Sequence, residues 1–371
     1  MYISRRQFMK YCAVAAGALG LTATDLMKLE NALAITPGGL PLNWIAGQAC
    51  TGCTTSLANA IQIASLQDAT LGYPNTVANL GAPATLDIRV LETLMGAEGD
   101  NVPAQVYTSG LFALVVEGAI PAQAPGNVGN RAGYCTIGNY SALGVSGPDS
   151  DVGDVVAALG NHTNCIAILA IGACTSYGGV PGANGNLTGA MGVLDYLPGQ
   201  KAKTICLPGC PPNPEWLVGA IVDILLFWAG LSTQLVPTLD NTNRPTKYYP
   251  RRVCNMCYRY PQASTHQISP LRGDELGDTT KNQCSGTLNH GDSATAYCLR
   301  AAGCRGQRTQ ANCGVFKWNS PGPPTLAPYA GNGMVAPGVP GVNWCVGAGA
   351  GCQGCVNKGF PDAYSPFWTL K

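Results

Sequence analysis

Apolar residues run in short unbroken blocks through the first two-thirds of the chain and then thin out. Leu111–Val116 (LFALVV) stops at Glu117-Gly118, Cys165–Ile171 (CIAILAI) at Gly172, and Thr204–Leu207 (TICL) at Pro208-Gly209. Blocks of that length, closed by Gly or Pro, suit strands buried on both faces of a parallel sheet. Asp151–Leu159 and Pro214–Gly230 read as helices between or after them, the second start punctuated by Pro211, Pro212 and Pro214. The alternation predicts βαβ units and, over residues 35–240, an α/β doubly wound parallel sheet. Ligands of such sheets lie beyond the carboxyl ends of the strands. Cys174 and Cys210 each fall just past an apolar block, which suits a site better than a core.

From about residue 241 the periodicity fades, and nine Cys fall between 254 and 355. Little regular structure is expected there, with metal replacing part of the core. Ser320–Val342 is Pro/Gly-rich and uncharged, and reads as a surface loop. The most apolar stretch, Gly219–Leu231, contains Asp223 and is shorter than the ~20 residues of a membrane span. It reads as a buried helix. The C-terminus, Ser365–Lys371, has no hydrophobic tail, so any membrane attachment is expected to come from another chain.

The first segment looks like an address. Ser4-Arg5-Arg6-Gln7-Phe8-Met9-Lys10 has the form of a twin-arginine export signal. A mildly apolar run, Tyr11–Leu21, follows, and Ala32-Leu33-Ala34 offers small residues for a signal peptidase. Residues 1–34 are therefore expected to be a leader and the protein periplasmic. The competing account is an ordinary amphipathic N-terminal helix. Cleavage after Ala34 would remove Arg5, Arg6, Lys10 and Lys28 from 21 basic residues and Asp25 and Glu30 from 20 acidic ones, leaving 17 against 18. The twin-arginine route moves folded proteins, typically ones loaded with cofactors beforehand. Seventeen Cys behind such a signal favour metal over disulfides.

Composition narrows the classes. Charged residues are 11% of the chain, against ~25% in a typical soluble domain, so part of the surface is expected to be covered. Forty-eight Gly and 27 Pro make a loop-rich chain short of disorder. A formal net charge of +1 with no charge block argues against a nucleic-acid partner. Three His argue against a His-rich catalytic metal site, and an odd Cys count forbids complete pairing. Gly178–Gly192 has neither G-x-G-x-x-G nor a P-loop lysine, so no nucleotide is expected.

Cys50-Thr51-Gly52-Cys53 is a C-x-x-C pair in a predicted loop, for which zinc, redox and cluster chemistry compete. Cys174 and Cys210 would complete four ligands. Cys254/Cys257, Cys298/Cys304, Cys313, Cys345 and Cys352/Cys355 follow in close order, and sorted into fours the twelve thiolates meet the requirement of three 4Fe–4S clusters. The motifs WIAGQACTGC (Trp44–Cys53), VEGAIP (Val116–Pro121), GACTSYGG (Gly172–Gly179) and PGCPPNP (Pro208–Pro214) extend the pattern. CLRAAGCRG (Cys298–Gly306), Asn312-Cys313 with Lys317-Trp318-Asn319, and GCQGC (Gly351–Cys355) with Gly359-Phe360-Pro361-Asp362 complete it.

With these motifs in order from about 42 to 368, the chain resembles the small subunit of a periplasmic nickel–iron hydrogenase. The resemblance implies a flavodoxin-like domain (35–240) holding a proximal cluster on Cys50, Cys53, Cys174 and Cys210. A C-terminal iron–sulfur domain (241–371) would hold the medial and distal clusters. A separate, obligate large subunit would carry the nickel–iron centre. Electrons from dihydrogen would then pass through this chain to a cytochrome or a membrane quinone-reducing subunit. Gly52 and Gly179 stand where oxygen-tolerant relatives have two extra Cys, so an ordinary proximal 4Fe–4S cluster and oxygen sensitivity are expected.

Two departures from the family pattern matter. The family's H-x-x-C reads Cys254-Asn255-Met256-Cys257 here, giving an all-thiolate distal set of Cys254, Cys257, Cys298 and Cys304. Thiolate should lower the potential relative to imidazole. The stretch from Cys257 to Cys298 is long and contains His266, Cys284 and His290, which are alternative ligands or surface residues of a docking insertion. The second departure is Cys345 after Trp344, where the family commonly has Pro and a 3Fe–4S medial centre. A medial 4Fe–4S cluster on Cys313, Cys345, Cys352 and Cys355 is therefore expected, with 3Fe–4S as the alternative.

Among the other Cys, Cys12 would leave with the leader and Cys165 and Cys206 read as core. Cys135 has no ligand role to assign, and Cys284 is unassigned. Glu117 is either a structural hydrogen-bond acceptor or, facing the large subunit, a contributor to proton movement. Trp44, Trp318 and Trp344 are expected to pack against clusters and exclude water. Rival functions are an exported ferredoxin-like carrier without a catalytic partner, a disulfide-stapled binding protein, and another oxidoreductase sharing the small-subunit fold.

Overall fold

The computed structural model of the chain describes Met9 and residues 12–13, 16–35, 40–58, 86–91, 107–122, 134–145, 149–236, 238–257, 303–315, 344–346 and 350–362. Arg5, Arg6, His266, Cys284, His290, Cys298, Trp318 and the Ser320–Val342 stretch lie outside these residues.

Five strands form one parallel sheet: β1 (Leu40–Ala46), β2 (Leu86–Leu91), β3 (Phe112–Glu117), β6 (Cys165–Ile171) and β7 (Thr204–Leu207). Two short strands, β4 (Thr136–Ile137) and β5 (Ser150–Asp151), pair separately. The sheet order is β2-β1-β3-β6-β7. Counting only sheet strands, that is 2-1-3-4-5, the flavodoxin-like order with its switch point between β1 and β3. The expected α/β class and topology are thus present.

Each apolar block is buried on both faces, as its lack of alternation requires. Phe112, Leu114 and Val116 of β3 point into one core; Ala113 and Val115 point into the other. The first core closes under helix α4 (Val152–Asn161) through Val152, Val155, Val156 and Leu159. Cys165 and Cys206 lie in it as small apolar residues, as expected. Asp151 caps α4, accepting from Gly153 N at 2.9 Å and Asp154 N at 3.2 Å.

The second core closes under helix α7 (Pro214–Trp228). Asn213 caps it and Pro214 occupies its first turn. It is apolar almost all round because it is covered all round. The sheet lies on one side; on others lie the N-terminal helices α1 (Ala16–Leu19) and α2 (Ala23–Ile35). The Cys-rich C-terminal part packs there too: Trp216 Nε1 donates to Asn312 Oδ1 at 2.8 Å. Small corrections to the sequence boundaries follow from exposure. Leu111 is outside the sheet and 48% exposed, while Glu117 completes β3. The α7 helix stops at Trp228, and Gly230 takes φ +71° beyond it.

The described C-terminal segments carry only 3₁₀ turns, Val253–Met256 and Gly306–Arg308, in line with the expected scarcity of regular structure. Backbone bonds between loops hold them: Val253 N to Thr309 O (2.7 Å), Ala311 N to Arg251 O (3.1 Å) and Arg305 N to Cys352 O (2.6 Å). The buried Arg244 ties the region together. It pairs with Asp240 at 2.8 Å, donates to Val356 O at 2.9 Å and lies 5.0 Å from the Tyr249 ring.

Candidate metal centres

Parallel strands bring all their carboxyl ends to one edge, and each neighbouring strand from β1 to β7 delivers a chemical group there. Beyond β1 come Cys50 and Cys53; β3 ends in Glu117; Cys174 follows β6 and Cys210 follows β7. Cys53 is not in a loop as expected. It lies in the first turn of helix α3 (Gly52–Ala58), reached through Thr51 at φ +62°. Cys174 lies in helix α5 (Gly172–Tyr177). The two post-strand turns approach closely: a Cβ at Gly172, whose φ is +85°, would stand 2.7 Å from Cys53 Sγ. Ala173 N donates to Gly209 O at 2.8 Å, joining the Cys174 and Cys210 turns.

The four thiols act on one another. Burial pushes Cys53 well above the ordinary thiol range, and Glu117, Cys174, Cys50 and Cys210 push it further. Cys174 is pushed up to about 11 by burial and then by Cys210. Cys210 is raised by burial, then by Cys50 and Cys345. The buried Cys53 and Cys174 thiols thus stay neutral alone and become thiolates only with positive charge beside them, as a bound metal would supply. An all-sulfur set is also the donor chemistry that suits iron–sulfur clusters. Among the described residues no three His, Cys, Asp or Glu converge as the ligands of a single ion do. All fifteen described Cys are free thiols.

Glu117 is 1% exposed and binds the turn that carries Cys53. It accepts from Cys53 N at 3.0 Å, Thr54 N at 3.2 Å, Trp44 Nε1 at 3.2 Å and the Thr54 hydroxyl. The geometry is that of a structural acceptor supplied from the adjacent strand to a helix N-terminus. Thr54 was not singled out in the sequence, and only its place next to Cys53 could have pointed to it.

The described C-terminal Cys act on one another across the expected medial and distal sets. Cys313 is raised above the ordinary range by burial and then by Cys352 and Cys345. Cys355 is raised by burial and then by Cys352, Cys313 and Cys345. Cys352 is pushed up to about 11, with Cys304 and Cys345 among the causes after burial. Cys345 thus acts on all three other expected medial ligands, while its own rise comes from burial and, among the thiols, from Cys304. Of the distal set, Cys254 lies within the Val253–Met256 turn and Cys257 directly follows it, and this turn packs on the Gly306–Arg308 turn. A Cβ at Gly306 would fall 3.2 Å from Cys254 Sγ and 3.6 Å from Cys304 Sγ. Cys352 N donates to Cys304 Sγ at 3.1 Å, linking the two groups. Trp44 and Trp344 are buried beside these motifs, 1% and 5% exposed.

The family model described as NADH ubiquinone oxidoreductase, 20 Kd subunit, matches residues 50–224. The periplasmic NiFeSe hydrogenase small subunit of Desulfomicrobium baculatum is 30% identical over 382 aligned positions, covering 100% of both chains. The hydrogenase-2 small chain of Escherichia coli K12 is 29% identical over 96% of this chain and 77% of its own. Among solved structures, the reduced, active Ni-Fe-Se hydrogenase from Desulfomicrobium baculatum superposes with a TM-score of 0.60 at 27% identity, over 90% of this chain and 100% of that one.

Proposed function

This chain belongs to the small-subunit family of nickel–iron and nickel–iron–selenium hydrogenases, and we propose that it is the electron-transfer subunit of an exported uptake enzyme with three iron–sulfur clusters. Hydrogenases are oxidoreductases acting on dihydrogen, active as a heterodimer with a large subunit. The nickel–iron centre belongs to that partner. The observation that carries this proposal is that Cys50, Cys53, Cys174 and Cys210 all sit on turns at the carboxyl edge beside the switch point, where each of Cys50, Cys174 and Cys210 acts on Cys53.

Clusters supply one-electron chemistry when bound. The residues of this chain hold them and shape their surroundings. The proximal ligands are Cys50, Cys53, Cys174 and Cys210. The medial ligands are Cys313, Cys345, Cys352 and Cys355, a 4Fe–4S set supported by the action of Cys345 on each of the other three thiols. The distal ligands are Cys254, Cys257, Cys298 and Cys304, whose four thiolates bias that site towards a low potential. Glu117 fixes the Cys53 turn, and Trp44 and Trp344 exclude water. Cys50 and Cys210 are exposed at one edge, and the large subunit covers that edge in the assembled enzyme. The 11% charged composition suits such an obligate interface.

Export follows the twin-arginine route into the periplasm, and a cytochrome or a quinone-reducing membrane subunit takes the electrons. No described helix is long and apolar enough to cross a membrane. The test is iron and acid-labile sulfide per chain on protein matured in a cytoplasm competent for cluster assembly and purified without oxygen. About twelve of each is expected. Near zero, with thiols oxidised in pairs, would overturn the proposal in favour of a disulfide protein. A full-intensity three-iron paramagnetic signal in the oxidised protein would overturn the medial assignment alone.

A further inference from the structure

We propose that the N-terminal segment, Cys12 to Ala34, is a cover that docks in cis on helix α7 and must undock before it can be cleaved. The proposal rests on the reading of residues 1–34 as an export leader.

A leader that only addressed the protein would need no fit to the folded domain. This one is built into the core. Cys12, Leu19, Leu29 and Ala32 are fully buried and Leu33 is 4% exposed, packed in one cluster with Leu217, Ile221 and Leu225 of α7. The acceptor side has matching features. Gly219 lies in the middle of α7, where Gly costs ~1 kcal/mol relative to Ala. A Cβ there would collide with the Leu19 carbonyl oxygen and the Tyr248 hydroxyl. Tyr248 Oη donates to that same carbonyl at 2.8 Å, satisfying the C-terminal end of α1. Gly20 turns the chain at φ +67° against the aliphatic stem of Lys247, whose ammonium pairs with Asp223 at 2.6 Å.

The leader helix also starts by design of its own. Thr22 and Asp25 form a reciprocal cap: Asp25 N donates to Thr22 Oγ1 at 3.1 Å, and Thr22 N donates to Asp25 Oδ2 at 2.8 Å. The candidate cleavage site, Ala32-Leu33-Ala34, falls inside the α2 helix with Ala32 and Leu33 turned into the core. A peptidase needs that backbone exposed and out of its helix. Cleavage should therefore track the population of the undocked state. Withdrawal of the leader, by whatever machinery grips its N-terminus, would be the step that releases the site.

The experiment uses the cluster-loaded, full-length precursor, purified without oxygen. Amide hydrogen exchange reads docking directly, and signal-peptidase cleavage at Ala34 reads gating. Leu29→Asp places a charge in the docked face yet leaves residues 35–371 unchanged, so misfolding of the remaining protein is not a confounder. Gly219→Leu blocks the same contact from the acceptor side. Strong protection across Ala23–Ile35 is expected in the wild type, with cleavage about tenfold or more faster in Leu29→Asp. Strand β3 and strand β6 should stay protected in both. Unprotected Ala23–Ile35 amides in the wild type, or equal cleavage of wild type and Leu29→Asp, would overturn the proposal. Failure of the peptidase to cut even the denaturant-opened precursor would instead overturn the export reading, with the exchange data still reporting docking.

Discussion

Replacing Glu117 separates two accounts of the carboxylate nearest the proximal thiols. Glu117→Ala strips the acceptor from four buried donors: Cys53 N, Thr54 N, Trp44 Nε1 and the Thr54 hydroxyl, the last of which can turn to another partner. Each buried donor left unmade costs ~1–3 kcal/mol, so the local loss is ~3–6 kcal/mol after allowing for partial relaxation. Glu117→Gln keeps the shape and one carbonyl oxygen, which can still accept from both amides. Its NH2 then meets the Thr54 hydroxyl, which can turn to accept, and the Trp44 N–H, which cannot. That variant should lose only ~1–3 kcal/mol. The assay is hydrogen exchange at the Cys53 and Thr54 amides on cluster-loaded protein, read beside iron content. Exchange should quicken by a hundredfold or more in Glu117→Ala, at about tenfold per 1.4 kcal/mol, and by about tenfold in Glu117→Gln. Iron should fall by about a third in the Ala variant, the share of one cluster in three, and stay near wild type in the Gln variant. A Gln variant with intact protection and full iron, but lost dihydrogen turnover and a new solvent isotope effect, would refute the structural-acceptor account. Proton movement would then be the role of Glu117.

Other sites give sharper yes-or-no outcomes. A Cβ at Gly179, already at φ +55°, would stand 2.7 Å from Cys174 N and 2.9 Å from Cys174 Sγ. Gly179→Cys should therefore not simply add a fifth proximal thiolate; it should displace the Cys174 turn and lower proximal-cluster occupancy, read by iron content, at a strain of ~1–3 kcal/mol. Cys345→Ser should convert the medial centre to a three-iron form, seen as a new paramagnetic signal in the oxidised protein; an unchanged spectrum would remove Cys345 from the ligand set. Asp223 is pushed up to about 6 by burial, against the opposing pull of Lys247, with Asp25 of α2 adding to the rise. A raised folded value means the folded state holds the proton more tightly, so the contribution is fully present below pH ~4 and is lost as pH rises through about 6. Relative to Asp223→Asn, the wild type should thus weaken over that window by up to ~3 kcal/mol, measured as exchange from α7 amides.

The sheet was legible in the sequence because strands buried on both faces leave unbroken apolar runs, and Cys165–Ile171 and Thr204–Leu207 match their strands at both ends. The edge positions of Cys174 and Cys210 were legible because βαβ geometry places whatever follows such a run at one edge. β1 was harder to read: Pro41 and Asn43 interrupt its run, and its neighbours β2 and β3 supply the burial that makes it a strand. The hydrogen bonds of Glu117 were not legible, since they join residues 63 to 73 positions apart and depend on register between adjacent strands. The N-terminal segment shows the same limit most clearly. Its Arg pair and small residues spell an address, and nothing in that pattern says where the following helix goes. What decides it lies some 200 residues away: a helix-interior glycine at 219 and a tyrosine at 248 that meet the Leu19 carbonyl. Gly219 alone would read as a weak point in α7, and Asp223 alone as a polar residue stranded in an apolar helix. Together with Lys247 they form the surface on which the N-terminal helices pack. The local cost of Gly219 is intelligible with the N-terminal helices in place: the missing side chain makes room for the Leu19 carbonyl, a contact that the proposed removal of residues 1–34 would abolish.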